Sequence, residues 1–204
     1  MENFSAGQVE QKNEALKKPQ MVTGLVFTAL FAALISAGAF IGIPIGPVPI
    51  VLQNMFALLA GLVLGPALGA SAVGLFIVAG ALGVPVFANN GSPMGIARLV
   101  GPSGGYIFGY LLGAVVAGLI VGFPRPGQKT PAWRLVLAVV AGMLVVYVPG
   151  LLRLKSYLNI GWAQAFATGF VPFMIGDALK GVAAVLAAPR LRRIASQLIV
   201  RQGS

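Results

Sequence analysis

The chain of 204 residues contains no cysteine and no histidine. That excludes disulfides, thiol nucleophiles, imidazole acid–base catalysis and metal sites built from Cys or His. Acidic side chains are almost as scarce. There are four, and three of them, Glu2, Glu10 and Glu14, lie in the first fourteen residues. Only Asp177 follows. Charged residues are 9% of the whole against 58% hydrophobic, far from the roughly 25% charged of a soluble domain. No polar stretch is long enough to form a separate soluble domain. The composition therefore implies an all-α polytopic membrane protein, built from apolar segments of about 20 residues.

The apolar segments predict six spans: Met21 to Ile41, Ile50 to Leu64, Ala67 to Val84, Gly104 to Phe123, Trp133 to Leu151 and Trp162 to Ala188. The second and third are short and hinge at Gly65-Pro66, as one hairpin with a tight turn or with one arm partly re-entrant. The expected organisation is a flexible cytoplasmic segment over 1–20, a six-helix membrane domain over 21–190 and a basic cytoplasmic tail over 191–204. Residues 1–20 lack the pattern of a cleaved signal peptide. The net charge of +10 sits at the ends and in short connections, which suits anionic lipid rather than nucleic acid. Lys12, Lys17 and Lys18, then Arg125, Lys129 and Arg134, then Arg190, Arg192, Arg193 and Arg201 fall on one side of an even-span topology. By the positive-inside rule that side is the cytoplasm. Arg153 and Lys155, in an expected outer connection over 152–161, weigh mildly against it.

Asp177 carries the functional argument. A carboxylate in hydrocarbon costs a few kcal/mol on insertion scales, and Lys180 stands three residues later on the same helical face. Such a pair is either a structural ion pair or a ligand site facing the bundle interior. Pro172 can kink the helix beside it. Arg98 is the only charged residue between Lys18 and Arg125 and is expected at the outer mouth, as an interface arginine or an anchor for a ligand carboxylate. Asn89 and Asn90 are turn residues or polar ligand contacts. Gln53 is suited to a ligand or to an interhelical bond. The connections over 42–49 and 85–103 carry proline, glycine and polar residues that suit a pocket lining, since irregular backbone at membrane depth needs cover. Ala29, Ala33 and Ala37 recur every fourth residue on the first span, a stripe for close helix packing inside the bundle or against another subunit. The run Gly122-Phe123-Pro124-Arg125-Pro126-Gly127-Gln128-Lys129-Thr130 imitates a phosphate-binding loop. It has one residue too many before the lysine and two prolines that remove backbone donors. No ATP-hydrolysing machinery is expected.

Four stretches together resemble the BioY family, the biotin-specific membrane subunits (S-components) of energy-coupling factor vitamin transporters. They are Ile45-Gly46-Pro47-Val48-Pro49-Ile50-Val51-Leu52-Gln53; Leu58-Leu59-Ala60-Gly61-Leu62-Val63-Leu64-Gly65-Pro66; Gly83-Val84-Pro85-Val86-Phe87 with Gly101-Pro102-Ser103-Gly104-Gly105-Tyr106; and Gly176-Asp177-Ala178-Leu179-Lys180. The resemblance implies six helices, both termini cytoplasmic, and a biotin pocket near the outer face to which Asp177 and Lys180 contribute. It implies that Ala29, Ala33 and Ala37 dock a transmembrane coupling subunit, with ATPase subunits beyond it. The expected protein is a non-enzymatic biotin-capture subunit of the prokaryotic cell membrane, without cofactor. Phe87 and Tyr106 are expected to cover the ring of biotin. The chain departs from the family pattern over 88–98, where relatives are richer in glycine, and in carrying Arg98. The alternatives from the residues themselves are an S-component for another vitamin, a proton-coupled carrier using Asp177, and a structural membrane subunit.

Overall fold

The structure is a computed structural model that describes residues 6–43, 47–88 and 94–200, with side chains described within 21–199. It is all-α apart from one small hairpin. The elements are α1 (Ala6–Ala37), β1 (Gly42–Ile43), β2 (Ile50–Val51), α2 (Gln53–Leu64), α3 (Pro66–Ala81), α4 (Ile96–Leu99), α5 (Gly104–Val121), α6 (Ala132–Leu158), α7 (Trp162–Gly169) and α8 (Met174–Val200). Three helical stretches are long and apolar enough to cross a membrane: Gly104–Val121, Ala132–Leu158 and Trp162–Ile199. Three shorter apolar helices accompany them, Met21–Ala37, Gln53–Leu64 and Pro66–Ala81.

Local chemistry explains where the elements stop. The prolines of the 42–49 connection exclude helix, and β1 and β2 pair antiparallel instead, Gly42 opposite Val51 and Ile43 opposite Ile50. Gly65 turns α2 into α3 within one residue by adopting φ 84°, and Pro66 starts α3 at a position where its missing N–H is no loss. Gly69 of α3 lies directly on Gly61 of α2, where a Cβ would come within 2.6 Å of backbone. The two short helices thus form the tight-turn hairpin.

Helix boundaries differ from the sequence expectation at three places. α1 begins at Ala6, well before the apolar run, in a stretch rich in the good helix formers Glu, Gln, Lys and Leu. α6 runs through Pro149 to Leu158 and ends on Asn159 in the left-handed region at φ 52°. Arg153 and Lys155 are therefore helical rather than part of a connection. The sixth apolar segment is not one helix. α7 stops at Gly169, a 3-10 turn spans Val171–Phe173, and α8 resumes at Met174. Pro172, which lacks an N–H and crowds the preceding turn, accounts for the break. Tyr106 Oη donates to the Gly169 carbonyl at 2.8 Å, satisfying a group the break leaves without a helical partner.

α5 is the hub. Its glycines Gly105, Gly109 and Gly113 lie on one face against α6. A Cβ would come within 2.1 Å of Pro149 O at Gly105, 2.5 Å of Val146 O at Gly109 and 2.8 Å of Gly142 O at Gly113. Membrane helices lack a strong hydrophobic drive to associate, so backbone approach of this kind does much of the packing. On its other side α5 meets the hairpin, with Gly61 against Ala114 and Gly118 against Pro66. The apolar cores on either side hold Leu58, Leu62, Leu64 and Leu135 in one cluster and Ile35, Phe76, Tyr106 and Leu154 in the other. Gly109→Ala is expected to lower the melting temperature of the purified protein, at a cost of about 1–3 kcal/mol from overpacking. Gly74 of α3 has nothing within 4 Å of a built Cβ. Gly74→Ala should leave the melting temperature unchanged or raised, and an equal drop in both variants would contradict the assignment of the α5 stripe.

Candidate functional site

Asp177 sits in the first turn of α8, where the positive end of the helix dipole favours a carboxylate. The break at Pro172 is what brings a helix start to this depth. Asp177 is buried, as is Lys180 one turn on. Lys180 Nζ donates to Asp177 Oδ1 at 3.0 Å, the one ion pair among the described residues. Two further helices complete the cluster. Asn54 of α2 donates through Nδ2 to Asp177 Oδ1 at 2.9 Å and accepts from Lys180 Nζ at 3.1 Å through Oδ1. Tyr147 of α6 donates its hydroxyl to Asp177 Oδ2 at 2.5 Å. Each member answers the others, so both charges are paired and hydrogen-bonded, as a buried pair requires.

The cluster borders a cavity of about 20 Å³, lined also by Val48 and Val51 of the hairpin region, Tyr106, Tyr110 and Phe173. That is room for about one water. Tyr106 stacks on Phe173 with ring centroids 6.4 Å apart and meets Tyr147 edge-on at 6.1 Å. A polar floor under an aromatic wall suits a small, flat, neutral heterocycle. On the far side of Tyr147 and Asp177 lies a broader apolar groove of about 420 Å³ between α6 and α8. Its walls include Val140, Leu144, Val182 and Leu186, all exposed. Such a face suits lipid chains, and it offers no polar group besides Tyr147 and Asp177 for orienting a ligand.

The other expected site residues are dispersed. Tyr106 is at the cavity. Gln53 is buried and donates through Nε2 to Val86 O at 2.8 Å, tying the start of α2 to the 82–88 connection. Phe87 packs edge-on against Phe76 at 5.3 Å and over Gly80, and does not line the small cavity. Arg98 is on α4 and only 5% exposed. It is thus a buried residue and not a side chain at an open mouth, and burial lowers its pKa from the ordinary guanidinium value while Tyr110 opposes the shift. Asn89 and Asn90 lie outside the described residues. Ala29, Ala33 and Ala37 are all exposed on one face of α1, so this stripe does not serve packing within the bundle.

Sequence reasoning missed Asn54 and Tyr147. Asn54 is a polar residue opening an apolar helix beside Gln53, and it is Asn54 rather than Gln53 that reaches Asp177. Tyr147 carried a weaker signal, a single hydroxyl in the apolar run of α6.

Comparison with known proteins bears on all of this. The BioY family model matches residues 10–197. The chain is 42% identical over 170 residues to the biotin transporter BioY of Thermotoga maritima, covering 83% of this chain and 96% of that one. It is 43% identical over 164 residues to a probable biotin transporter BioY of Pyrococcus horikoshii, covering 80% and 93%. Its fold matches a crystal structure of the S-component for biotin from an ECF-type ABC transporter with a TM-score of 0.74 at 31% identity, covering 85% of this chain and 93% of that one. With the match extending over nearly the whole apolar body, the chain belongs to the BioY family.

Proposed function

We propose that this protein is the biotin-binding S-component of an energy-coupling factor importer, capturing biotin outside the cell for ATP-driven uptake by separate coupling and ATPase subunits. One observation supports this reading more than any other. Asp177 and Lys180 both border the aromatic cavity, and neither has used its full hydrogen-bonding capacity. A carboxylate has about four acceptor positions and Asp177 uses three; an ammonium has three donors and Lys180 uses two. What remains is one acceptor beside one donor, the complement of a ureido N–H and its carbonyl oxygen. Tyr106, Tyr110 and Phe173 supply apolar cover for the fused ring. The cavity is far smaller than biotin, so Val48 and Val51 have to withdraw as the ligand enters. Val51 belongs to the two-residue β1–β2 ladder and Val48 lies just before β2, in a weakly held element.

Calorimetric titration of the purified protein with biotin is the direct test. Wild type should bind one equivalent. Asp177→Asn should weaken binding by about tenfold to a hundredfold, the value of one charge-assisted bond. Tyr147→Phe should weaken it only a few-fold, because it loosens the carboxylate without touching the ligand. Absence of binding by folded, ligand-free wild type would overturn the biotin reading, and binding of riboflavin or thiamine instead would assign another vitamin.

The exposed stripe of Ala29, Ala33 and Ala37 is the proposed docking face for the coupling subunit. Alanines at this spacing let a second helix approach closely. Ala33→Leu should abolish co-purification with that subunit and leave biotin binding intact; loss of both would return the stripe to a folding role.

We also read the six apolar helical segments, α7 and α8 counted as one, as six spans of the cell membrane with both termini cytoplasmic. Arg153 no longer weighs against this. Its guanidinium bonds the carbonyls of Val100 and Gly101, so it is held by backbone rather than placed by topology. The chain has no cysteine, so Gln197→Cys is a single-cysteine reporter without further engineering. It should react with a membrane-impermeant maleimide only after cells are opened, and labelling of intact cells would reverse the topology.

A further inference from the structure

A second cavity lined by polar groups lies at the other end of α8 from Asp177. Arg192 follows Asp177 by fifteen residues, about 22 Å along a helix. There a cavity of about 500 Å³ is lined by Arg125, Lys129 and Thr130 of the α5–α6 connection and by Arg192, Arg193 and Ser196 of α8. The four cations have unequal duties. Arg192 is buried and committed: Nε donates to Thr130 Oγ1 at 3.0 Å, and its terminal nitrogens donate to the carbonyls of Leu62, Val121 and Gly122. These carbonyls belong to the C-terminal ends of α2 and α5, where helices carry partial negative charge. Arg192 therefore neutralises helix ends and ties α8 to them.

Arg125, Lys129 and Arg193 are exposed, and none makes a salt bridge among the described residues. Three positive charges thus converge on one concavity with no matching anion among the described side chains. Thr130 accepts the Arg192 bond and keeps its own hydroxyl hydrogen as a donor. The loop is the same Gly122–Thr130 run that imitates a phosphate-binding loop. Pro124 and Pro126 remove the backbone donors such a loop uses, so any anion here is held by side chains. Three mobile cations and a hydroxyl suit a multiply oxygenated anion better than a single carboxylate.

We propose that this cavity is a binding site for a phosphate-bearing anion, either the headgroup of an anionic phospholipid or a free phosphate compound. The test uses the full-length protein in neutral detergent, followed by thermal melting and native mass spectrometry. Dioleoylphosphatidylglycerol and inorganic pyrophosphate are titrated separately, with dioleoylphosphatidylcholine as the zwitterionic control. The site variant is Arg125→Gln/Lys129→Gln/Arg193→Gln, which spares Arg192. A control variant removes equal charge elsewhere, Arg134→Gln/Lys155→Gln/Arg190→Gln. Circular dichroism establishes that both are folded.

Saturable one-to-one binding of an anionic probe is expected for wild type and the control variant. It should weaken by about fivefold per lost cation, on the order of a hundredfold in the site variant. Binding of the phosphatidylglycerol alone identifies a lipid site, and binding of pyrophosphate identifies a soluble phosphate ligand. Equal weakening in both variants would reduce the effect to net charge and overturn the proposal. So would the absence of saturable binding of both probes to wild type.

Discussion

The structure depends on keeping one carboxylate charged inside an apolar bundle. An unpaired ion there costs several kcal/mol even after the protein relaxes, comparable with the whole stability of a typical domain. Asp177 is tolerable because three elements converge on it: α8 supplies Lys180 and the positive end of its own dipole, α2 supplies Asn54, and α6 supplies Tyr147. The requirement runs in both directions. The cluster holds these helices in register, and any displacement that separates them exposes a charge to hydrocarbon. A ligand engaging the remaining acceptor and donor would add to the same network, coupling occupancy to the relative placement of α2, α6 and α8.

How much of this was legible in the sequence depends on the range of the interaction involved. Asp177 and Lys180 are three residues apart on one helix, so their pairing followed from helical geometry alone. The turn at Gly65-Pro66 was equally local. Asn54 and Tyr147 join Asp177 across 123 and 30 residues, and whether a helix turns such a residue inward depends on its rotation about its own axis. In a bundle apolar all round, hydrophobic periodicity does not set that rotation. Arg98 shows the same limit. Its isolation in the charge pattern was plain, but the folding of α4 that buries it was not. The split of the last apolar segment was foreshadowed by Pro172, although a kink and a full interruption read alike in sequence.

The two small-residue stripes make the point in physical terms. On α1, alanines recur at 29, 33 and 37; on α5, glycines recur at 105, 109 and 113. Both have the four-residue period of close packing. The α5 glycines are spent inside the molecule, where α6 backbone occupies the space of the missing side chains. The α1 alanines face outward. Glycine tolerates backbone contact that alanine does not, which suits a permanent intramolecular seam. An alanine stripe keeps a smooth outer surface, as the proposed docking of a separate subunit requires.

The geometry of the charged pair also bears on how biotin would lie. With its carboxylate on Lys180, a second negative charge would stand roughly 4 Å from Asp177. At an effective dielectric of about 20 that repulsion is about 4 kcal/mol. It offsets most of the attraction to Lys180, which at the same dielectric and about 3 Å is about 5.5 kcal/mol. The neutral ureido group carries no such penalty and uses the acceptor and the donor together. In the proposed complex the ring is therefore placed on the Asp177–Lys180 floor, with the carboxylate directed away from it.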